Sequence, residues 1–242
     1  MRVLCVALSV LLAVAAVPAA ADSFDGEPFS GETEFNFTRT TGNTESRTFG
    51  LNASFDWVQT RWREHLALEA YNESQAGEAT AERYFVEGQV DHSVNDRAYV
   101  YAQSSGEDDR FSGYEYSLAG SGGVGYRFYD TDTFRLALET GPGFRYRRAR
   151  PGVVDADSGG EATMRGVMRL FWQLNPYTEF QQTLETSLGT ESTLSRSTTS
   201  VTTELWSRLS LRFAYRVRHE ADPPDDVAAV DTRLSAGVVY GF

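Results

Sequence analysis

From residue 29 onward apolar residues recur at every second position, in stretches of about 9–14 residues, with almost no helical period. A period of two puts successive side chains on opposite faces of a strand. Each stretch is therefore a ribbon with one apolar and one polar face. In the clearest case Leu209, Leu211, Phe213, Tyr215 and Val217 alternate with Arg208, Ser210, Arg212, Ala214, Arg216 and Arg218. Val230, Thr232, Leu234, Ala236, Val238, Tyr240 and Phe242 repeat the pattern against Asp231, Arg233, Ser235 and Gly237. Twelve such stretches predict strands over 31–41, 46–58, 61–72, 82–93, 96–105, 113–128, 133–147, 162–173, 177–188, 197–206, 208–219 and 230–242.

The links between them alternate in length. Val58-Gln59-Thr60, Val94-Asn95, Tyr129-Asp130-Thr131-Asp132, Asn175-Pro176 and Ser207 are tight. Segments 73–81, 106–112, 148–161, 189–196 and 220–229 read as longer links holding Gly, Pro, Asp, Glu and Ser. Thr41-Gly42-Asn43-Thr44 is an exception, a tight turn where a long link is due. An even strand count with this alternation predicts an all-β fold: a transmembrane antiparallel up-and-down β-barrel, with short periplasmic turns and longer extracellular loops. Trp57, Trp62, Trp172 and Trp206 all fall beside expected periplasmic turns, joined by Phe128, Phe134, Tyr177, Tyr240 and Phe242. That is an interfacial aromatic girdle. The alternative is a soluble β-sandwich or lipocalin-like barrel, which turns its apolar face inward. Alternation alone does not say which face is inside; the girdle, the even count and the acidic long links favour the membrane.

The start of the chain reads as a targeting segment. Arg2 precedes an apolar run over residues 3–17, and Ala19-Ala20-Ala21 supplies an A-x-A cleavage pattern before Asp22. The expected division is a signal peptide over 1–21, a short periplasmic segment over 22–30 and the barrel over 31–242. The one cysteine, Cys5, lies inside the leader, so the exported chain has no disulfide and no Cys-type metal site. This suits a bacterial outer membrane. All 22 basic residues are Arg, against 34 acidic residues, a net charge of -12. That balance excludes a basic nucleic-acid-binding face.

If the apolar face meets lipid, the other face lines the lumen. The inward arginines are then Arg61, Arg63, Arg127, Arg135, Arg145, Arg147, Arg165, Arg169, Arg208, Arg212, Arg216, Arg218 and Arg233. The inward acids are Glu32, Glu34, Glu69, Glu87, Asp91, Glu115, Glu139, Glu179, Glu185, Glu204 and Asp231. Candidate lumen residues are Arg145, Arg165, Arg169, Arg208, Arg212 and Arg216 with Glu139, Glu179 and Glu185. They make either a plug of salt bridges or a narrow channel with an arginine track for anionic solutes, since the guanidinium fork matches carboxylates and phosphates. A twelve-stranded barrel lies between filled and open sizes, so size does not decide. Glu107-Asp108-Asp109, Asp155, Asp157, Asp222 and Asp225-Asp226 are expected to face the medium as solvated loops, with no ligand spacing for a metal. Of the histidines, His92 precedes Ser93 but both fall near a periplasmic turn, His65 lies mid-strand among arginines, and His219 has no clear Ser partner in sequence. A rim hydrolase is thus the least favoured class, and no cofactor, metal or catalytic residue is expected.

The chain ends with Gly237, Tyr240 and Phe242 in an alternating strand. This resembles the signal read by the outer-membrane barrel assembly machinery. Four further stretches resemble the salt-induced outer membrane protein family (YdiY-like), whose biochemical role is unknown. They are Gly31 through the Gly42-Asn43-Thr44 turn; Asp96-Arg97 with Asp109-Arg110-Phe111; Gly123-Val124-Gly125-Tyr126-Arg127; and Glu139-Thr140-Gly141-Pro142-Gly143-Phe144-Arg145-Tyr146. The resemblance implies an outer-membrane barrel and, by name only, a link to salt or envelope stress. The expected partners are outer-membrane lipid, lipopolysaccharide and the assembly machinery, with the barrel a monomer.

Overall fold

The computed structural model describes residues 29–40, 46–152, 158–221, 223 and 228–242. The leader, the cleavage position, the Gly42-Asn43-Thr44 turn and acidic residues 155, 157, 222, 225 and 226 lie outside the described residues. The strands are β1 (Phe29–Thr40), β2 (Ser46–Gln59), β3 (Trp62–Gln75), β4 (Glu78–Ser93), β5 (Ala98–Asp109), β6 (Tyr114–Asp130), β7 (Phe134–Ala149), β8 (Gly159–Asn175), β9 (Thr178–Gly189), β10 (Thr193–Trp206), β11 (Leu209–Glu220) and β12 (Val230–Gly241). Each pairs antiparallel with its sequence neighbours, and β1 closes on β12. The seam is short: four register pairs from Glu32↔Gly241 to Phe35↔Val238, against twelve between β1 and β2. Mutual backbone bonds between Gly31 and Phe242, at 2.9 and 3.0 Å, extend it.

The sequence reading finds every strand but ends several too early at the outer end. Much of the expected links 73–81, 106–112 and 189–196 is strand. Between β3 and β4 the turn is only Ala76-Gly77, with φ of 51° and 87°. Two positive φ values are what a two-residue hairpin needs to follow the strand twist. Ala at such a position is uncommon, so the usual Asn-Gly or Asp-Gly signal is missing. Strand elongation carries the alternation, and with it the lumen face, further outward than composition suggests.

Burial settles which face is inside. Glu34 is 2% exposed, whereas Leu234 is 77% exposed. Glu139, Arg145, Glu161 and Arg165 are buried, whereas Trp57, Trp172, Trp206 and Phe213 are exposed. A soluble barrel has the reverse arrangement, so this is a membrane barrel with a polar interior. A second aromatic set, Phe49, Tyr84, Phe144 and Tyr215, faces outward above the tryptophans. Phe49 stands eight residues along β2 from Trp57, a rise of about 20 Å at barrel tilt. That separation suits a lipid-facing band with a girdle at each edge.

Candidate functional site: a sealed lumen

Three acid–arginine hubs occupy the interior. Toward the outer end, Glu107 on β5 meets Arg83 of β4 at 2.9 Å, Arg196 of β10 at 3.0 Å and Arg218 of β11 at 3.5 Å. Since β5 and β10 stand nearly opposite in the closed ring, this hub crosses the lumen. Arg83 also reaches Glu69 at 3.3 Å, and Glu69 binds Arg233. Beside it Arg145 holds Glu161 at 2.7 Å and the Ser192 carbonyl oxygen at 2.5 Å, while Arg147 binds Glu220. Glu161 also accepts the backbone N–H of Glu191 at 2.9 Å, which ties in the β9–β10 turn.

At mid-height Glu139 accepts from Tyr99 Oη at 2.8 Å, Gln89 at 3.0 Å and Arg165 at 3.2 Å, and also binds Arg169. Arg165 continues to Glu185 at 3.0 Å and Arg169 to Gln89 at 3.3 Å. Glycine makes this hub possible. A Cβ on inward-facing Gly125 would overlap the Tyr99 ring, so the ring lies against bare backbone. Arg127 then covers it at 4.6 Å. At the periplasmic end Arg212 grips both oxygens of Glu32 at 2.8 Å, Glu34 at 3.4 Å and Thr202 at 2.9 Å.

Most expected lumen residues therefore come together, but as neutralised pairs. Arg145, Arg165, Arg169, Arg212, Glu139 and Glu185 all stand in the hubs. Arg216 faces inward and donates to Ser235 at 3.3 Å. Glu179 accepts from Gln181 at 3.0 Å at the periplasmic mouth. Arg208 is not on a lumen strand: it stands exposed in the two-residue turn between β10 and β11. Glu115 is not inward either. The register shifts between Tyr114 and Tyr116, which turns it outward to Arg148 at 3.1 Å. Glu107 does not face the medium; its side chain is 7% exposed. Arg83, Glu107, Glu161, Arg196 and Glu220 complete the network unforeseen. Simple continuation of the period of two through the presumed links points Glu107, Glu161, Arg196 and Glu220 inward; Arg83 already fell inside an expected strand.

Among the described residues the lumen divides sharply. Its periplasmic half holds two cavities of about 520 and 550 Å³, lined by Arg63, Arg127, Arg135 and Arg169 in one and Glu179, Arg208 and Arg212 in the other. The outer half holds gaps of only about 20 and 40 Å³ among Arg145, Arg147, Arg196 and Arg218. Those gaps fit isolated waters at most. Among the described residues the lumen is thus roomy in its periplasmic half and tightly filled in its outer half. His65 pairs with Asp56 at 3.2 Å and His92 lies over Trp62 at 4.4 Å. The register does set Ser195 opposite outward-facing His219, but the Ser195 hydroxyl is bonded to Thr186 at 3.3 Å.

Residues 33–242 match the family model described as "Protein of unknown function, DUF481". The chain belongs to the DUF481 family. The uncharacterized protein YdiY of Escherichia coli (strain K12) is 26% identical to this DUF481 chain over 219 residues, covering 89% of this chain and 84% of that one. The YdiY-like resemblance is thereby borne out. In fold, this DUF481 barrel is similar to the NanC porin (TM-score 0.54, 10% identity, 88% and 98% of the two chains). It is likewise similar to the COG4313 outer membrane channel of Pseudomonas putida F1 (TM-score 0.52, 9% identity, 94% and 100%). These likenesses establish the barrel architecture.

Proposed function

We propose that this protein is a non-enzymatic outer-membrane barrel of the bacterial envelope, exported with removal of residues 1–21, whose lumen is held shut by its own ion pairs. The observation that carries this reading is the Glu107 hub, which joins β4, β5, β10 and β11 across the interior. A role under salt or envelope stress fits the same feature. Buried pairs are screened far less by salt than surface pairs, so the seal persists as the salinity of the medium changes. A second reading, a narrow anion channel that opens on demand, is favoured by one observation. At the Glu107 hub the contacts across the lumen are made between side chains, which rotamer changes can clear.

Planar-bilayer recording tests both. Folded wild-type protein is expected to give no steady conductance. Glu107→Gln keeps the shape of the hub but leaves Arg83, Arg196 and Arg218 without their counter-charge. Each of these arginines already has a buried Nε with no partner. The variant is expected to show discrete steps with anion preference. Large ohmic steps from wild-type protein would overturn the sealed reading; a silent Glu107→Gln variant that still folds would overturn the channel reading.

A further inference from the structure

The outer surface carries a stripe that lipid does not explain. Along β9, Gln181 and Thr183 line the periplasmic cavity and Glu185 and Ser187 the outer gap. The alternate residues, Thr178, Phe180, Gln182, Leu184, Thr186 and Leu188, therefore face the membrane. Along β10, Arg196, Ser200 and Thr202 point inward, so Ser195, Ser197, Thr199, Val201 and Thr203 face outward. Short of outward-facing His219 at its outer end, neighbouring β11 turns Leu211, Phe213 and Tyr215 outward, and β8 turns Met164, Met168 and Leu170 outward, so both flanking faces are largely apolar. Between these two apolar strands runs a ladder of hydroxyl and amide groups.

The ladder is built across the strand pair. Thr199 donates to Gln182 Oε1 at 2.5 Å, and Gln182 Nε2 donates to Ser197 at 3.1 Å. Thr186 and Ser195 lie 3.3 Å apart, as do Thr178 and Thr203. These bonds do not exhaust it. The Ser197 hydroxyl accepts from Gln182 but keeps its own hydrogen, and each hydroxyl pair retains one more. Acyl chains offer no acceptor for them, and polar groups facing lipid are disfavoured unless another protein surface meets them.

We propose that the β9–β10 face is a self-association surface, and that its occupant is the same face of a second copy of this chain. Two properties select a second copy. The outward residues of both strands carry no formal charge, so two identical faces meet without repulsion. Each hydroxyl and amide both donates and accepts, so the pattern is complementary to itself under a two-fold axis along the membrane normal, as an isologous contact requires. The expected monomer is then the separated form. The proposal is independent of whether the lumen conducts.

Single-cysteine cross-linking in native membranes tests it, because the one native cysteine, Cys5, lies in the leader proposed to be removed on export, and replacing it guards against any uncleaved chain. In a Cys5→Ser background, Ser197→Cys is expected to form disulfide-linked dimers on mild oxidation. Leu68→Cys on β3, outward on the opposite wall, is expected to stay monomeric. Adding Gln182→Leu and Thr199→Val should lower the cross-linked fraction about threefold for each bond lost in lipid, with the folded barrel still resisting heat on a gel. Equal cross-linking of both cysteines would mean random collision and overturn the proposal. So would a Ser197→Cys chain that reacts with maleimide yet gives no dimer.

Discussion

Gly125 owes its place to a neighbour rather than to a turn. A side chain there would displace the Tyr99 ring, and with it the hydroxyl that Glu139 accepts at 2.8 Å. Gly125→Val is expected to lower stability by about 1–3 kcal/mol through overpacking and the broken bond, read as a lower temperature for loss of the compact form on a gel. Gly237 has a similar role: a Cβ there would collide with Glu34 and Asn36. Its presence in the terminal strand thus has a packing reason besides any assembly signal. Glu107 is the sharper case. Removing a buried charge from its partners costs about 3–5 kcal/mol in either variant, but Glu107→Ala also removes the acceptor oxygens and leaves a cavity, so it is expected to melt earlier than Glu107→Gln in the same assay. At this scale the sequence was a partial guide. Parity assigned Arg145, Arg165, Arg169, Arg212, Glu139 and Glu185 to the lumen, but it could not foresee that a bulge turns Glu115 outward. Nor can spacing along a chain reveal a pair such as Glu107–Arg196, which strands from distant parts of the sequence bring together.

Among the elements, strand identity was legible and strand length was not. Alternation marks a strand wherever one face meets lipid, and every strand was found on that basis. Past the lipid edge the outward face has no reason to stay apolar, so the signal fades while the hydrogen-bond ladder runs on. That is why the sequence pattern places Glu107, Arg196 and Glu220 in links. The seam shows the opposite economy. β1 and β12 share few pairs, and aromatic rings thicken them: Phe242 lies 6.2 Å from Phe29, 6.1 Å from Phe55 and 6.3 Å from Tyr240. Deleting Phe242 removes these contacts and both backbone bonds to Gly31. The shortened chain is expected to assemble more slowly into liposomes and to lose heat resistance. Phe242→Ala, which keeps the backbone bonds, should show the smaller loss.

For the molecule as a whole, the inverted arrangement of polarity makes a direct claim about solvent. Leu68, outward and midway along β3, should tolerate Met with little change, whereas Leu68→Arg is expected to cost about 2–4 kcal/mol if lipid surrounds it. Equal tolerance of both, measured by denaturant titration in liposomes, would contradict the membrane placement. The barrel was legible because lipid imposes one rule on every strand. The seal was not, because closure depends on which carboxylate reaches which guanidinium across the ring.

The seam also bears on how the chain gets to this shape. Every strand pair except β1–β12 joins segments that adjoin in sequence, so all the other pairings are local and can form hairpin by hairpin at little cost in chain entropy. Only the last contact gathers the two ends of the chain, and the entropy of closing so long a loop falls on that single event. Folding therefore concentrates its non-local search into one late step, and the same few rungs are the ones through which the finished cylinder would first reopen.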